Sequence, residues 1–110
     1  MPIKAVRDLL ADPAITMADL ARVIAPRRTL ERRLKERTRL TARESDRLSG
    51  FVTILDMVST MFGSNDTAMD WLRRPKRQFD GRAPIDMMAT NAGAHAIEEL
   101  LMRARFGMLA

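Results

Sequence analysis

Apolar residues recur along this chain at spacings of three and four, which is the period of an amphipathic helix. The first such segment runs from Ile3 to Leu10 and stops at Asp12–Pro13, because proline cannot continue a helix. No segment shows the strict alternation or the turn-bounded, β-branched runs of a sheet. The pattern predicts an all-α protein.

Two short helices joined by a tight turn follow. Thr16, with Asp19 three residues later, forms a weak capping box that predicts a helix start. Pro26 ends that helix, and Thr29 is predicted to cap the next one, over residues 30–37. A short helix, a turn of about four residues and a second helix have the proportions of a helix-turn-helix.

A long helix is predicted from Thr41, which forms a clearer capping box with Glu44, to about Phe62. At 100° per residue its apolar side chains cover more than half of its circumference. A surface helix on a monomer of this size needs a narrower stripe. The helix is therefore either the centre of the fold or buries a second face in a dimer, and the sequence leaves both open.

Shorter helices are predicted in the last third of the chain. One covers residues 67–74, and Pro84 is well placed as the first residue of the next. Thr90 or Asn91 caps the last helix, and Gly107 is suited to follow its end.

The composition narrows the function. The 110 residues suffice for one compact domain or two small helical units that share a core. Cysteine is absent and His95 is the single histidine, so thiolate and two-histidine metal sites and a cysteine nucleophile are excluded. We expect no enzyme activity, no metal and no cofactor. No apolar stretch suits a signal peptide or a membrane span, so a cytoplasmic protein is expected.

The net charge of +5 is concentrated in one segment. Residues 22–47 carry ten basic and four acidic side chains, which is typical of a protein that binds a polyanion, nucleic acid first. A solvated, salt-bridged helix surface is the other interpretation. Arginines in the first turn of a recognition helix can pair with guanine, whereas Lys35, Arg37 and Arg39 are better suited to phosphates. The predicted DNA contacts are Arg27, Arg28, Thr29, Arg32, Arg33 and Lys35.

Several motifs stand in order along the chain: R-R-T-L-E-R-R-L (27–34), L-T-A-R-E-S-D-R-L (40–48), W-L-R-R-P (71–75), G-R-A-P-I-D-M-M-A-T (81–90) and A-I-E-E-L-L-M-R (96–103). Together they resemble the Xre/MbcA/ParS antitoxin family over about residues 16–107. The later motifs resemble its toxin-binding domain, and they are fairly specific because tryptophan, prolines, threonine and glycines come in a fixed order. Asp80 departs from the family, in which this turn commonly has glycine.

The resemblance implies an antitoxin of a type II toxin–antitoxin module. Its partner would be a RES-domain toxin, which resembles ADP-ribosyltransferases and consumes NAD or modifies a protein with it. The implied fold is an Xre-like helix-turn-helix packed on a long central helix, over residues 1–62, followed by a small helical toxin-binding domain over 63–110. Operator DNA, a homodimer and a hetero-oligomer with the toxin are expected, without a membrane. The alternative, a stand-alone helix-turn-helix regulator, leaves the motifs of residues 71–107 unexplained.

Two surfaces are candidates for covering the toxin. The end of the chain is apolar and can enter a narrow cleft, unless it only completes the core. The other candidate is the surface formed by residues 71–90. The predicted toxin contacts are Trp71, Arg82, Met87, Met88, Arg103, Arg105, Phe106, Met108 and Leu109.

Overall fold

The computed structural model describes residues 2–105, except for the side chain of Arg105. Over this range the chain forms seven α-helices and no β-strand, as the apolar spacing predicts. A 3₁₀ turn at Arg77–Phe79 lies between the fifth and sixth helices. The helices are α1 (Lys4–Leu10), α2 (Met17–Val23), α3 (Arg27–Glu36), α4 (Ala42–Phe62), α5 (Asn65–Arg73), α6 (Pro84–Met87) and α7 (Asn91–Arg105).

Two capping boxes start helices where the sequence predicts them. At α2 the Asp19 N–H donates to Thr16 Oγ1 over 3.1 Å, and the Thr16 N–H donates to the Asp19 carboxylate over 2.9 Å. The same reciprocal bonds, of 3.1 and 2.9 Å, join Thr41 and Glu44 at the start of α4. They satisfy backbone N–H groups that have no partner inside the helix, and so fix where each helix begins.

The start of α3 differs from the prediction. The helix begins at Arg27, with Pro26 in the N-cap position and no side-chain cap, whereas Thr29 lies inside the first turn. The ring of Pro26 holds φ at −52°, close to the helical value, and so restricts the backbone just before α3 although no side chain caps the helix. The turn between α2 and α3 is correspondingly short and covers residues 24–26.

The long helix α4 is the central helix of the fold. Phe51 and Val58 are fully buried on it, and α2, α5 and α7 all pack against it. The wide apolar arc is therefore covered largely from within the chain, because neighbouring helices approach from several sides. Val52, Met61 and Phe62 are the large hydrophobic residues of α4 that remain exposed.

An ion pair joins α2 to α5. The Arg73 guanidinium donates to both carboxylate oxygens of Asp19, over 2.9 and 2.7 Å, and to the carbonyl oxygen of Ala14 over 2.6 Å. Asp19 is only 3% exposed. Burial raises the pKa of Asp19, but hydrogen bonds from Arg73 and Thr16 outweigh it and hold the pKa below its ordinary value.

A second two-pronged ion pair joins α2 to α6. Here α2 supplies the arginine, whereas in the first pair it supplies the carboxylate. Arg22 donates through Nε and Nη2 to the two carboxylate oxygens of Asp86 on α6, over 2.8 and 2.7 Å. These hydrogen bonds lower the pKa of Asp86. Both side chains are more exposed than Asp19, so this pair contributes less to stability. The first helix of the helix-turn-helix is thus tied to both α5 and α6.

Removal of Arg73 tests the weight of the first ion pair. Arg73→Ala leaves the buried Asp19 carboxylate without its charged donor, so we expect the free energy of unfolding at neutral pH to fall by about 2 kcal/mol. Arg22→Ala breaks the exposed pair and is the matched control, with an expected loss below about 1 kcal/mol. Urea unfolding followed by circular dichroism measures both.

The Arg73→Ala penalty also depends on pH. Because the folded pKa of Asp19 is lowered, its stabilisation is present above the unfolded pKa of about 3.9 and is lost as the pH falls through the folded pKa. The stability gap between wild type and Arg73→Ala therefore shrinks as the pH falls below about 4. Two results would contradict this role of the Asp19–Arg73 ion pair. One is an equal loss of unfolding free energy in Arg73→Ala and Arg22→Ala at neutral pH, and the other is a difference between wild type and Arg73→Ala that does not change with pH.

Candidate functional site

Helix α3 presents a basic face to solvent. Leu30 is fully buried, and Leu34 packs against the core one turn later. Because successive residues are 100° apart, the positions two before, two after and five after Leu30 point away from the core. These positions hold the exposed side chains of Arg28, Arg32 and Lys35. Three of the predicted DNA contacts therefore share one face of one helix.

Arg33 forms an ion pair with the start of α4. Its Nε lies 2.8 Å from a carboxylate oxygen of Glu44, and its Nη2 donates to the other oxygen over 3.1 Å. The side chain is only 17% exposed and holds α3 against the start of α4, so most of it is covered, and its contact with DNA stays a prediction. Arg27 is exposed but donates to Glu31 over 2.8 Å, and Thr29 is half-buried.

A second candidate surface lies where the end of α4 meets α5 and α7. Met61 and Phe62 are 41% and 43% exposed, and the Phe62 ring lies 6.2 Å from the half-buried Trp71 ring. We call these three residues the apolar patch. Beside it a groove of about 500 Å³ opens between α4 and α7, lined by Asp56, Met57, Thr60, Met61, Leu101 and Ala104. Contiguous exposed apolar side chains mark partner-binding surfaces.

The loop between α5 and α6 is closed by its backbone. The Lys76 N–H donates to the Arg82 carbonyl over 3.0 Å, and the Gly81 N–H donates to the Lys76 carbonyl over 2.9 Å. Asp80 and Gly81 both have positive φ, at 55° and 81°. Asp80 thus adopts the left-handed backbone that glycine favours, which aspartate tolerates better than most residues. The departure from the family motif leaves the turn intact.

The structure places the predicted toxin contacts in three groups. Arg82 and Arg103 are exposed, and Trp71 and Met87 are half-buried. Met88 is 1% exposed and lies in the core, because α6 is packed between α2, α5 and α7. Met88 is therefore covered by the chain itself, and its contact with a partner stays a prediction. The remaining predictions lie outside the described residues: the side chain of Arg105, Phe106, Met108 and Leu109.

Sequence reasoning did not find the apolar patch as a whole. It placed Met61 and Phe62 in the apolar arc of α4, whereas only Trp71 was assigned to a partner surface. A signal was present, because both residues belong to the last turn before Gly63, whose φ of 89° ends the helix. Fewer neighbours cover a side chain at a helix end than in its middle.

His95 is exposed and pairs with Glu99 one turn later, at 3.1 Å. Within residues 2–105 no three potential ligands from His, Asp and Glu cluster as a metal site. Over the same residues, no helix combines the length and the hydropathy needed to cross a membrane.

The structure is therefore that of a small helix-turn-helix protein with a helical C-terminal half that exposes an apolar patch. Comparison with known families identifies both halves. The antitoxin Xre-like helix-turn-helix domain matches residues 1–52, and the antitoxin Xre/MbcA/ParS C-terminal toxin-binding domain matches residues 57–107. The chain belongs to the Xre/MbcA/ParS antitoxin family. The first match ends at residue 52 and the second begins at residue 57, both within α4, and the division at residue 62 stays a prediction.

Relatives named Antitoxin Xre support this membership. The protein of Pseudomonas putida is 38% identical over 84 residues, which is 76% of this chain and 53% of the relative. That of Photorhabdus laumondii is 32% identical over 83 residues, with 74% and 56% covered. That of Yersinia enterocolitica is 30% identical over 97 residues, with 86% and 66% covered. The chain spans between about half and two thirds of the length of these relatives.

Gly93 permits close packing of α6 on α7. Its N–H donates to Thr90 Oγ1 over 3.0 Å, so of the two predicted caps, Thr90 and Asn91, it is Thr90 that caps α7. A Cβ at position 93 would lie 1.9 Å from the Met87 carbonyl oxygen. At position 50 in α4 it would meet only Ala94 Cβ, at 4.0 Å.

These distances predict opposite effects for two glycine substitutions. Gly93→Ala forces the backbone of α6 away, and we expect it to destabilise the fold by about 1–3 kcal/mol. Gly50→Ala fills free space in a helix interior and is expected to stabilise the fold by about 0.5–1 kcal/mol. Thermal unfolding measures both, and a neutral Gly93→Ala would show that the close approach is not required.

Proposed function

We propose that this chain is the antitoxin of a type II toxin–antitoxin module. In this proposal it neutralises a RES-domain toxin by covering the toxin's active site, and it represses its own operon by binding DNA through α3. The observation that carries the proposal is the match of residues 57–107 to a toxin-binding domain, since the apolar patch lies in the same residues. The RES class comes from the family resemblance. A stand-alone regulator would leave the match of residues 57–107 to a toxin-binding domain unexplained.

The C-terminal end of the chain is the proposed plug. Helix α7 carries the exposed Arg103, and the apolar residues 106–109 follow it in the sequence. An NAD pocket is concave and partly apolar, so it suits apolar side chains such as those of residues 106–109. An arginine there can occupy a phosphate position or pair with an acidic catalytic group.

Truncation after Arg103 tests the plug. The full chain and the truncated chain are each co-expressed with the RES-domain protein encoded in the adjacent reading frame, and growth and cellular NAD are measured. The full chain is expected to restore both. The truncated chain is expected to remain folded by circular dichroism and to bind operator DNA, but to lose protection.

Each other outcome has a distinct meaning. An unfolded truncation product shows that the end of the chain is structural. Normal neutralisation by the truncated chain assigns the blocking to the surface of residues 71–90. No protection by the full chain, or no RES-domain protein in the adjacent frame, contradicts the RES-antitoxin proposal itself.

Operator binding is proposed for the outward face of α3. Arg28 and Arg32 lie in its first half, the part of a recognition helix that reaches base edges in the major groove. Lys35 and the exposed Arg39 are suited to phosphates. We also propose a homodimer, because a palindromic operator presents two half-sites to a two-fold symmetric pair of helix-turn-helix units.

Substitution of the outward arginines tests this interface. Arg28→Ala with Arg32→Ala is expected to weaken operator binding and to lower its salt slope by up to about two. Arg33→Ala is the matched control, which loses stability through Glu44 but keeps the salt slope. Gel shifts over a series of salt concentrations measure both, and sedimentation gives the number of chains per operator.

An unchanged affinity and salt slope in the double variant would remove α3 from the interface. A single chain per operator, with a monomer in free solution, would remove the homodimer.

A further inference from the structure

Four basic residues stand on the loop between α5 and α6: Arg74, Lys76, Arg77 and Arg82. We call them the basic loop. Among the described residues none of the four forms an ion pair, whereas Arg22, Arg33 and Arg73 each hold a carboxylate. The basic loop also contains Asp80, and Asp86 lies near enough for Arg82 to lower its pKa, so basic residues outnumber the acidic residue within the loop but are not isolated from carboxylates.

These charges are held close together. Lys76 and Arg82 face each other in an antiparallel bridge, so their side chains leave the backbone on the same side. Burial and the nearby charge of Arg74 lower the pKa of Lys76. The fold thus keeps like charges together although they repel one another. A partner that brings carboxylates would relieve this repulsion.

The basic loop is continuous with the apolar patch. Lys76 Nζ lies 4.9 Å from the centre of the Trp71 ring, within the range of a cation–π contact. A groove of about 270 Å³ joins the two surfaces, lined by Phe62, Thr67, Asp70, Trp71, Arg74 and Lys76. Its aromatic side chains and its cations therefore face the same space, which also contains the Asp70 carboxylate, 3.9 Å from Arg73 Nη1.

We propose that this groove binds an acidic segment of the toxin that carries an apolar side chain. The apolar side chain would pack against Phe62 and Trp71, and flanking Asp or Glu carboxylates would pair with Arg74 and Arg82. Buried aromatic and arginine contacts of this kind dominate binding energy at protein interfaces. The inference rests on the proposed function. It adds a second toxin contact, separate from residues 103–109, and it states that the toxin surface at this contact is acidic with an apolar side chain.

A protein partner is favoured over a nucleic acid for two reasons. The groove lies entirely within residues 57–107, which match a toxin-binding domain, whereas the basic face of α3 lies in the other matched region. The exposed Met61 and Phe62 also offer apolar contact beside the groove, for which a phosphate backbone has no counterpart.

Charge reversal in the full chain tests the groove. Arg74→Glu with Arg82→Glu is compared with Arg28→Glu with Arg32→Glu, which makes the same charge change on α3. All four side chains are exposed, and circular dichroism verifies the fold. Calorimetry measures binding to the RES-domain protein of the adjacent reading frame at low and high salt, and gel shifts measure binding to the operator.

The loop variant is expected to bind the toxin at least about tenfold more weakly at low salt and to differ less at high salt, because salt screens exposed charges. Its operator affinity is expected to stay at the wild-type value. The α3 variant is expected to show the reverse pattern. Phe62→Ser, at an exposed position, is expected to weaken toxin binding by a factor that does not depend on salt.

Toxin binding that is unchanged in both the loop variant and Phe62→Ser, with a wild type that binds, overturns this inference and leaves the proposed function standing. A loop variant that loses operator binding but keeps toxin binding makes the groove a nucleic-acid surface and also overturns it. A wild type that does not bind the RES-domain protein overturns the proposed function and the inference together.

Discussion

A buried carboxylate must be surrounded by donors, because taking an unpaired charge out of water costs several kcal/mol. This constraint determines the contacts at which the helices of this protein are held together. Asp19 and Glu44 are the buried charged residues among those described, and each accepts from the backbone of its capping threonine. Each is also held by an arginine from another helix, Asp19 by Arg73 and Glu44 by Arg33. The residues that start α2 and α4 are thus also tertiary contacts.

The consequence is a fixed relation between the two halves of the chain. Helix α2 is held to α5 through Asp19 and to α6 through Arg22, while α4 packs against helices of both halves. Arg33 in turn fixes α3 on α4, so the outward face of α3 has one orientation relative to the core. The helix-turn-helix and the C-terminal half are therefore packed against each other and are not two units joined only by a flexible linker.

The same pairing separates structural arginines from available ones. Arginines that pair with carboxylates of the fold stabilise it and fix how its helices pack. Among the described arginines without an ion pair, Arg28 and Arg32 lie on the outward face of α3, and Arg74, Arg77 and Arg82 lie on the basic loop. Only one of these surfaces is contiguous with exposed apolar side chains. That difference supports assigning DNA to α3 and a protein partner to the groove beside Trp71.

The sequence by itself determined the helices, both capping boxes, the helix-turn-helix and the family resemblance. These depend on residues three or four positions apart, or on the order of motifs along the chain. From the sequence, Arg33 was predicted to contact DNA because it lies in the motif of residues 27–34. Met88 was predicted to contact the toxin because it lies in the motif of residues 81–90.

Only the tertiary structure decided which side chains are free. It turned Arg33 toward Glu44, buried Met88 under its neighbours and made α4 the central helix. The bonds that join the two halves connect residues 54 and 64 positions apart. Such pairs leave no periodic signal in one sequence, because the contact exists only after the intervening helices have packed.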